Sequence, residues 1–149
     1  MLELSGFVTA IHHVGIAVPD FDAAVHFHRT IFGLELAHEE VNEERGVREG
    51  MLRAPGDPGG GTAVQLLAPL SPDTAIGRFL DRHGPGLQQL AYRVTDVDAA
   101  AAALRAAGLR LLYDEPRRGT SGSRVNFVHP KDAGGVLVEL VEPAGGPAR

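Results

Sequence analysis

The chain is 149 residues long, has no cysteine, and sets 14 basic against 19 acidic side chains for a formal charge of −5. With 44% hydrophobic and 22% charged residues it has the apolar material for one globular domain over 1–149, and neither disorder nor a fibrous repeat fits. The missing thiols exclude a disulfide framework and a thiolate metal site, and the acidic balance argues against nucleic acid as a partner. No stretch approaches the roughly 20 apolar residues of a membrane span. Because Met1-Leu2-Glu3-Leu4-Ser5-Gly6 lacks the basic start and apolar run of a leader, the chain reads as a cytoplasmic protein with no membrane partner.

In chain order, His13-Val14-Gly15-Ile16-Ala17-Val18 reads as a strand, Asp20 as an N-cap, and the following residues as an amphipathic helix that Gly33 ends. Its apolar face carries Phe21, Ala24, Val25, His28 and Phe32. A short strand Leu34-Glu35-Leu36 follows, then two more strands joined by the tip Asp57-Pro58-Gly59-Gly60-Gly61, the second over 63–67. A linking helix is expected over 72–83, with Ser71 as cap, Pro72 in its first turn and Gly84 closing it.

The pattern then returns. Residues 89–100 align with 13–24 at an offset of 76, with Asp96 in the place of Asp20 and a second helix with Val97, Ala100, Ala101 and Leu104 on its apolar face. Gly108 ends that helix, Leu109-Arg110-Leu111-Leu112 is the next strand, and the tip Lys131-Asp132-Ala133-Gly134-Gly135 precedes a strand over 136–141. Both glycine-rich tips precede strands, so they read as hairpin turns and not as phosphate cradles, which need a following helix. The tail 144–149 is expected to fray. The fold class is therefore α+β. Two paired βαβββ modules, one over about 8–70 and one over about 86–143, are expected to form a curved open sheet around a central cleft, where ligands favour binding.

Strand alternation puts His13, Gly15 and Ala17 on one face of the first strand and His12, Val14, Ile16 and Val18 on the face beneath the helix. Gln89 lies on the equivalent cleft face of the second module, and Val64-Gln65-Leu66-Leu67-Ala68-Pro69 matches Val138-Glu139-Leu140-Val141-Glu142-Pro143, which makes Gln65 and Glu139 counterparts. His13, Gln65, Gln89 and Glu139 thus interrupt apolar strands at two pairs of equivalent positions. Any one of them alone would be read as a hydrogen-bonded core residue. As a set they read as ligands of a divalent ion of borderline or hard character.

Glu49, in Gly46-Val47-Arg48-Glu49-Gly50-Met51-Leu52, shares a strand face with Val47 and Met51. It is either a desolvated general base or a solvated edge residue. His12 and His28 are assigned to packing, His26, His38 and His83 to the surface, and His129 to a turn. Arg117, Arg118, Arg124 and Lys131, the only lysine, form the best basic cluster for a polyanionic ligand, with a solvated loop as the alternative. Ser123 and Asn126 are candidates for contact with a substrate carboxylate.

From about Ile11 to Pro143 the sequence resembles the vicinal oxygen chelate superfamily and, within it, the methylmalonyl-CoA epimerase family. The resemblance is carried by Ile11-His12-His13-Val14-Gly15-Ile16-Ala17-Val18-Pro19-Asp20, by Val64-Gln65-Leu66-Leu67-Ala68-Pro69-Leu70, and by the run from Leu112 through Ser123-Arg124-Val125-Asn126-Phe127-Val128-His129-Pro130-Lys131 to Leu140. It implies metal ligands at His13, Gln65, Gln89 and Glu139, with Gln89, in Gly86-Leu87-Gln88-Gln89, standing where the family usually has histidine. It also implies a catalytic carboxylate pair, Glu49 and Glu139, a metal such as cobalt, nickel, manganese or zinc, a CoA thioester substrate and a homodimer. The reaction implied is exchange between the 2R and 2S forms of methylmalonyl-CoA. A glyoxalase-like enzyme or a thiol transferase would share the fold. A metal-free binding module for planar drugs is a further alternative, for which a chain without tryptophan offers few stacking surfaces.

Overall fold

The computed structural model describes residues 6–145. Residues 1–5, within the stretch read as lacking a leader, and residues 146–149, within the tail expected to fray, lie outside the described residues. The chain divides into two compact units, one of residues 13–88 and one of residues 6–12 with 89–145 among those described. No helix among the described residues is long and apolar enough to cross a membrane.

In the first unit, strand β1 (Val8–Ala17, of which residues 13–17 belong here) leads through Asp20 into helix α1 (Phe21–Phe32). The Asp20 side chain accepts the Ala23 N–H, and Gly33 closes the helix at φ 69°, a left-handed conformation that favours glycine. Strands β2 (Glu35–Asn42), β3 (Val47–Arg53) and β4 (Ala63–Pro69) follow, and the strand order in this unit is β2-β3-β4-β1. β3 and β4 are antiparallel across the glycine-rich tip, where Asp57 accepts the Gly59 and Gly61 N–H groups, whereas β4 and β1 are parallel. One face of this sheet packs Val18, Leu52, Leu66 and Ala68 under Phe21 and Val25 of α1. Gly50 is required there: a Cβ on it would stand 2.7 Å from the tip of the Phe21 ring. The opposite face carries Ala17, Val47 and Leu67, on which helix α2 (Ala75–His83) lays Ile76, Phe79 and Leu80.

The second unit repeats the plan with β5 (Gly86–Val94), α3 (Val97–Ala106), the two-residue β6 (Arg117–Arg118), β7 (Arg124–Val128) and β8 (Val138–Glu142), its strands ordered β5-β8-β7-β6. Asp96 caps α3 through the Ala99 N–H, and Gly108 follows its end at φ 91°. Val94, Val97, Ala100, Val128 and Leu140 form the core beneath α3, while Ala91, Val125, Phe127 and Val141 pack on the other face. Residues 7–12 join this unit through the Thr95 N–H to Phe7 carbonyl bond and the Arg93 to Thr9 hydroxyl bond.

Four local expectations change. The linking helix starts at Ala75 and is capped by Thr74, whose hydroxyl takes the Gly77 N–H, so Ser71 and Pro72 belong to the turn before it. β2 is longer than Leu34-Glu35-Leu36 because half-buried positions alternate with exposed ones along it, so the charges of His38-Glu39-Glu40 are compatible with an outer strand. Leu109-Arg110-Leu111-Leu112 is not a regular strand: it touches β7 through the Leu111–Val128 bridge and two further backbone bonds, since Leu109 and Leu111 turn into the core. Phe32 is 62% exposed, stacked edge-to-face on Phe27 instead of buried beneath α1.

Candidate functional site

Three of the expected residues lie on one face of the first unit. His13 (1% exposed), Gln65 (1%) and Glu49 (0%) come from β1, β4 and β3, all pointing away from α1 by strand alternation. Gln65 stands level with Gly15 on one side and Met51 on the other, and Glu49 stands level with Leu67. His13 is level with Ala63, two residues before Gln65 on the same face of β4. Small neighbours at Gly15 and Ala63 leave room above the polar side chains. The edge reading of Glu49 does not hold, because β3 is bonded on both sides, to β2 and to β4.

In the second unit, Gln89 and Glu139 occupy the face opposite α3, 4% and 2% exposed. The Gln89 side-chain Nε2 donates to Glu139 Oε1 at 2.9 Å, a buried bond that fixes the carboxylate and orients the amide. Glu139 stands level with Ala91 on the parallel strand and Phe127 on the antiparallel one. These neighbours reproduce those of Gln65: Gly15 and Ala91 are small, Met51 and Phe127 large, each pair 76 residues apart. The duplication seen in the sequence therefore extends to the surroundings of its polar positions. Among the described residues there is no group of three or more histidines, acids or cysteines that could hold a metal.

Of the expected basic cluster, Arg118 stands level with Arg124 across β6 and β7, and Arg117 stands level with Val125. Arg124 opens β7 and turns to the α3 side, where Asp98 at 2.8 Å and Glu142 at 3.5 Å hold it, Asp98 first, with its pKa raised above the ordinary value. Lys131 lies beyond the other end of the same five-residue strand, some 16 Å away at strand spacing. Arg117 stacks over the Tyr113 ring at 4.0 Å and Arg118 is exposed. Asn126, fully buried, is committed to the backbone: its Oδ1 accepts the Tyr113 and Phe127 N–H groups and its Nδ2 donates to the Tyr113 carbonyl. It is a structural clamp on the Tyr113 segment.

Ser123 keeps its candidacy, and Thr120 joins it. Both hydroxyls are buried without a hydrogen-bond partner, in a turn where Ser121 adopts φ 54° and ψ 33°, a strained conformation for a residue with a side chain. The signal for Thr120 was the hydroxyl-rich run Gly119-Thr120-Ser121-Gly122-Ser123, which composition alone assigns to an ordinary loop. Of the remaining histidines, His28 donates to the Ala24 carbonyl, His129 accepts the Lys131 N–H as a turn residue, and His38 is partly exposed and paired with Glu40 at 2.5 Å.

A sequence profile described as Glyoxalase/Bleomycin resistance protein/Dioxygenase superfamily matches residues 12–127. An ethylmalonyl-CoA/methylmalonyl-CoA epimerase of Cereibacter sphaeroides is 37% identical over 132 residues, covering 87% of this chain and 95% of that protein. Methylmalonyl-CoA epimerase from Mycobacterium tuberculosis superposes with a TM-score of 0.88 at 51% identity, covering 95% of this chain and 93% of that one. A variant of Streptomyces coelicolor methylmalonyl-CoA epimerase in complex with 2-nitronate-propionyl-CoA gives 0.89 at 50% identity, covering 95% and 99%. By profile, sequence and fold alike, the chain belongs to the glyoxalase/bleomycin resistance/dioxygenase superfamily, whose vicinal oxygen chelate fold its two βαβββ modules display.

Proposed function

We propose that this protein is an epimerase that interconverts the 2R and 2S forms of methylmalonyl-CoA, with Glu49 and Glu139 as its two proton-transfer groups. The observation that carries the reading is the complete burial of Glu49 on an apolar strand face beside His13 and Gln65, in a chain half identical to methylmalonyl-CoA epimerases. Burying a carboxylate on an apolar strand face costs free energy, and desolvated carboxylates are effective general bases.

The substrate's C2 hydrogen lies between a thioester and a carboxylate, so its removal gives an enolate. Inversion requires one group to take the proton from one face and another to return a proton to the opposite face. Glu49 and Glu139 supply those groups, exchanging roles with the direction of reaction. The Gln89 N–H bond steadies Glu139 in one rotamer. His13, Gln65, Gln89 and Glu139 would hold a divalent cation through one imidazole nitrogen, two amide oxygens and one carboxylate, a donor set that suits cobalt, nickel, manganese or zinc. When bound, the cation supplies positive charge that stabilises the developing oxyanion. Thr120 and Ser123 offer the substrate carboxylate two buried hydroxyls, and Arg117, Arg118 and Lys131 offer the CoA phosphates positive charge. The reading includes a homodimer working in the cytoplasm.

The test is incubation with one methylmalonyl-CoA isomer in heavy water, with and without chelator, following deuterium at C2 by mass spectrometry. Native protein should form the other isomer with deuterium incorporated. Glu49→Gln should lower interconversion by roughly a hundred- to ten-thousandfold while keeping exchange on the face served by Glu139. Absence of exchange with every divalent metal tried would overturn the assignment.

A further inference from the structure

Beneath α3, wholly within the second unit, lies a pocket of about 260 Å³ that opens to the surface beside Phe7 and Val8. Val94, Val128, Val138 and Leu140 of the sheet and Ala100 and Leu104 of the helix form its walls. The equivalent layer of the first unit is fuller. Under α1 the same layer is filled by Phe21, whose ring reaches the backbone at Gly50, and by Val25. Seventy-six residues on, those places hold Val97 and Ala101, within the run of alanines from Ala99 to Ala103. Both side chains are smaller than their counterparts, so the layer under α3 carries less side-chain volume at these two places.

We propose that this pocket is a binding site for a small uncharged apolar molecule, a monocyclic aromatic or short branched aliphatic of roughly six to nine heavy atoms. The walls give water few partners, and water needs two or more hydrogen bonds to reside in a cavity. An apolar hole of only about 150 Å³ suffices to take up benzene or xenon. Asp132 is the one charged residue on the lining, and Arg110 holds its carboxylate at 2.9 and 3.0 Å through two guanidinium nitrogens, so the rim makes no demand for a cationic ligand. Val138 and Leu140 immediately precede and follow Glu139 on β8. The occupant therefore packs against the back of the strand that carries Glu139, at a place separate from the face where that carboxylate lies. The proposal stands whether or not the protein is an epimerase.

Benzene titrated into the full-length chain is the probe. At ten times its dissociation constant it should raise Tm by about 3 to 5 °C, and in methyl-labelled protein it should shift the resonances of Leu104, Val138 and Leu140. Ala100→Leu fills the space and should abolish both responses. If that variant does not fold, the methyl shifts of the native protein decide the matter alone. No Tm response and no methyl shift at saturating benzene would overturn the proposal, and so would shifts confined to residues beneath α1 such as Val25 and Leu66.

Discussion

Asn126→Ala separates a structural clamp from a substrate contact, because the two roles move different observables. The native amide makes three hydrogen bonds, to the Tyr113 N–H at 3.1 Å, the Tyr113 carbonyl at 3.0 Å and the Phe127 N–H at 2.8 Å. Each contributes about 1 kcal/mol net, and the Phe127 N–H left in a buried strand adds a desolvation cost of similar size, so the loss should be about 3 to 4 kcal/mol. For a chain of this length each kcal/mol shifts Tm by roughly 2 to 4 °C, so thermal unfolding should drop by about 6 to 15 °C. Asn126→Asp keeps the acceptor for both N–H groups but turns an oxygen toward the Tyr113 carbonyl, and it should fall in between. The assay is circular dichroism melting alongside steady-state kinetics on methylmalonyl-CoA. If Asn126→Ala melted within 1 °C of the native protein while KM rose tenfold or more, the clamp argument would be refuted and the residue returned to substrate binding.

Gly50→Ala should cost about 1 to 3 kcal/mol by forcing the Phe21 ring and the Leu36 methyl aside, and combining it with Phe21→Leu should recover part of that cost in a double-mutant cycle measured by urea unfolding. Asp132 is held down at a pKa of about 2 by its hydrogen bonds to the Arg110 side chain and backbone. Its folded value lies below its unfolded one, so its stabilisation is present above about pH 4 and disappears as pH falls toward 2. The Tm difference between native protein and Asp132→Asn should therefore be largest near neutrality and vanish around pH 2. Glu139→Ala should lower Tm by more than Glu139→Gln does, because only the former leaves the buried Gln89 amide without its acceptor.

The repeat carried most of the fold, because strand alternation, Asp caps and terminal glycines are local physics that need no tertiary knowledge. Asp20 and Asp96 cap where expected, and the faces of β1, β4 and β8 follow from counting alone. Legibility failed where a long-range partner decided the outcome. Arg124 looks like a free cation until Asp98 and Glu142 are brought beside it, residues separated from it by 26 and 18 positions. Asn126 is likewise indistinguishable from a ligand contact until Tyr113 folds onto it. Thr120 was hidden for the opposite reason: nothing in its local sequence distinguishes a buried hydroxyl from an exposed one. β2 extends beyond Leu34-Glu35-Leu36 because the polar run His38-Glu39-Glu40, loop-like by itself, is held by its pairing with β3.

Gln65 and Glu139 began as one position in one ancestral module, and their flanking residues still match in size: Gly15 with Ala91, Met51 with Phe127. The pair itself has diverged, from neutral amide to carboxylate, and so have the counterparts His13 and Gln89. Packing holds the small and large flanking positions alike in both modules, whereas the polar positions between them tolerate a change of donor or charge. Duplication in this chain has thus kept one frame twice while letting the chemistry of each half change separately.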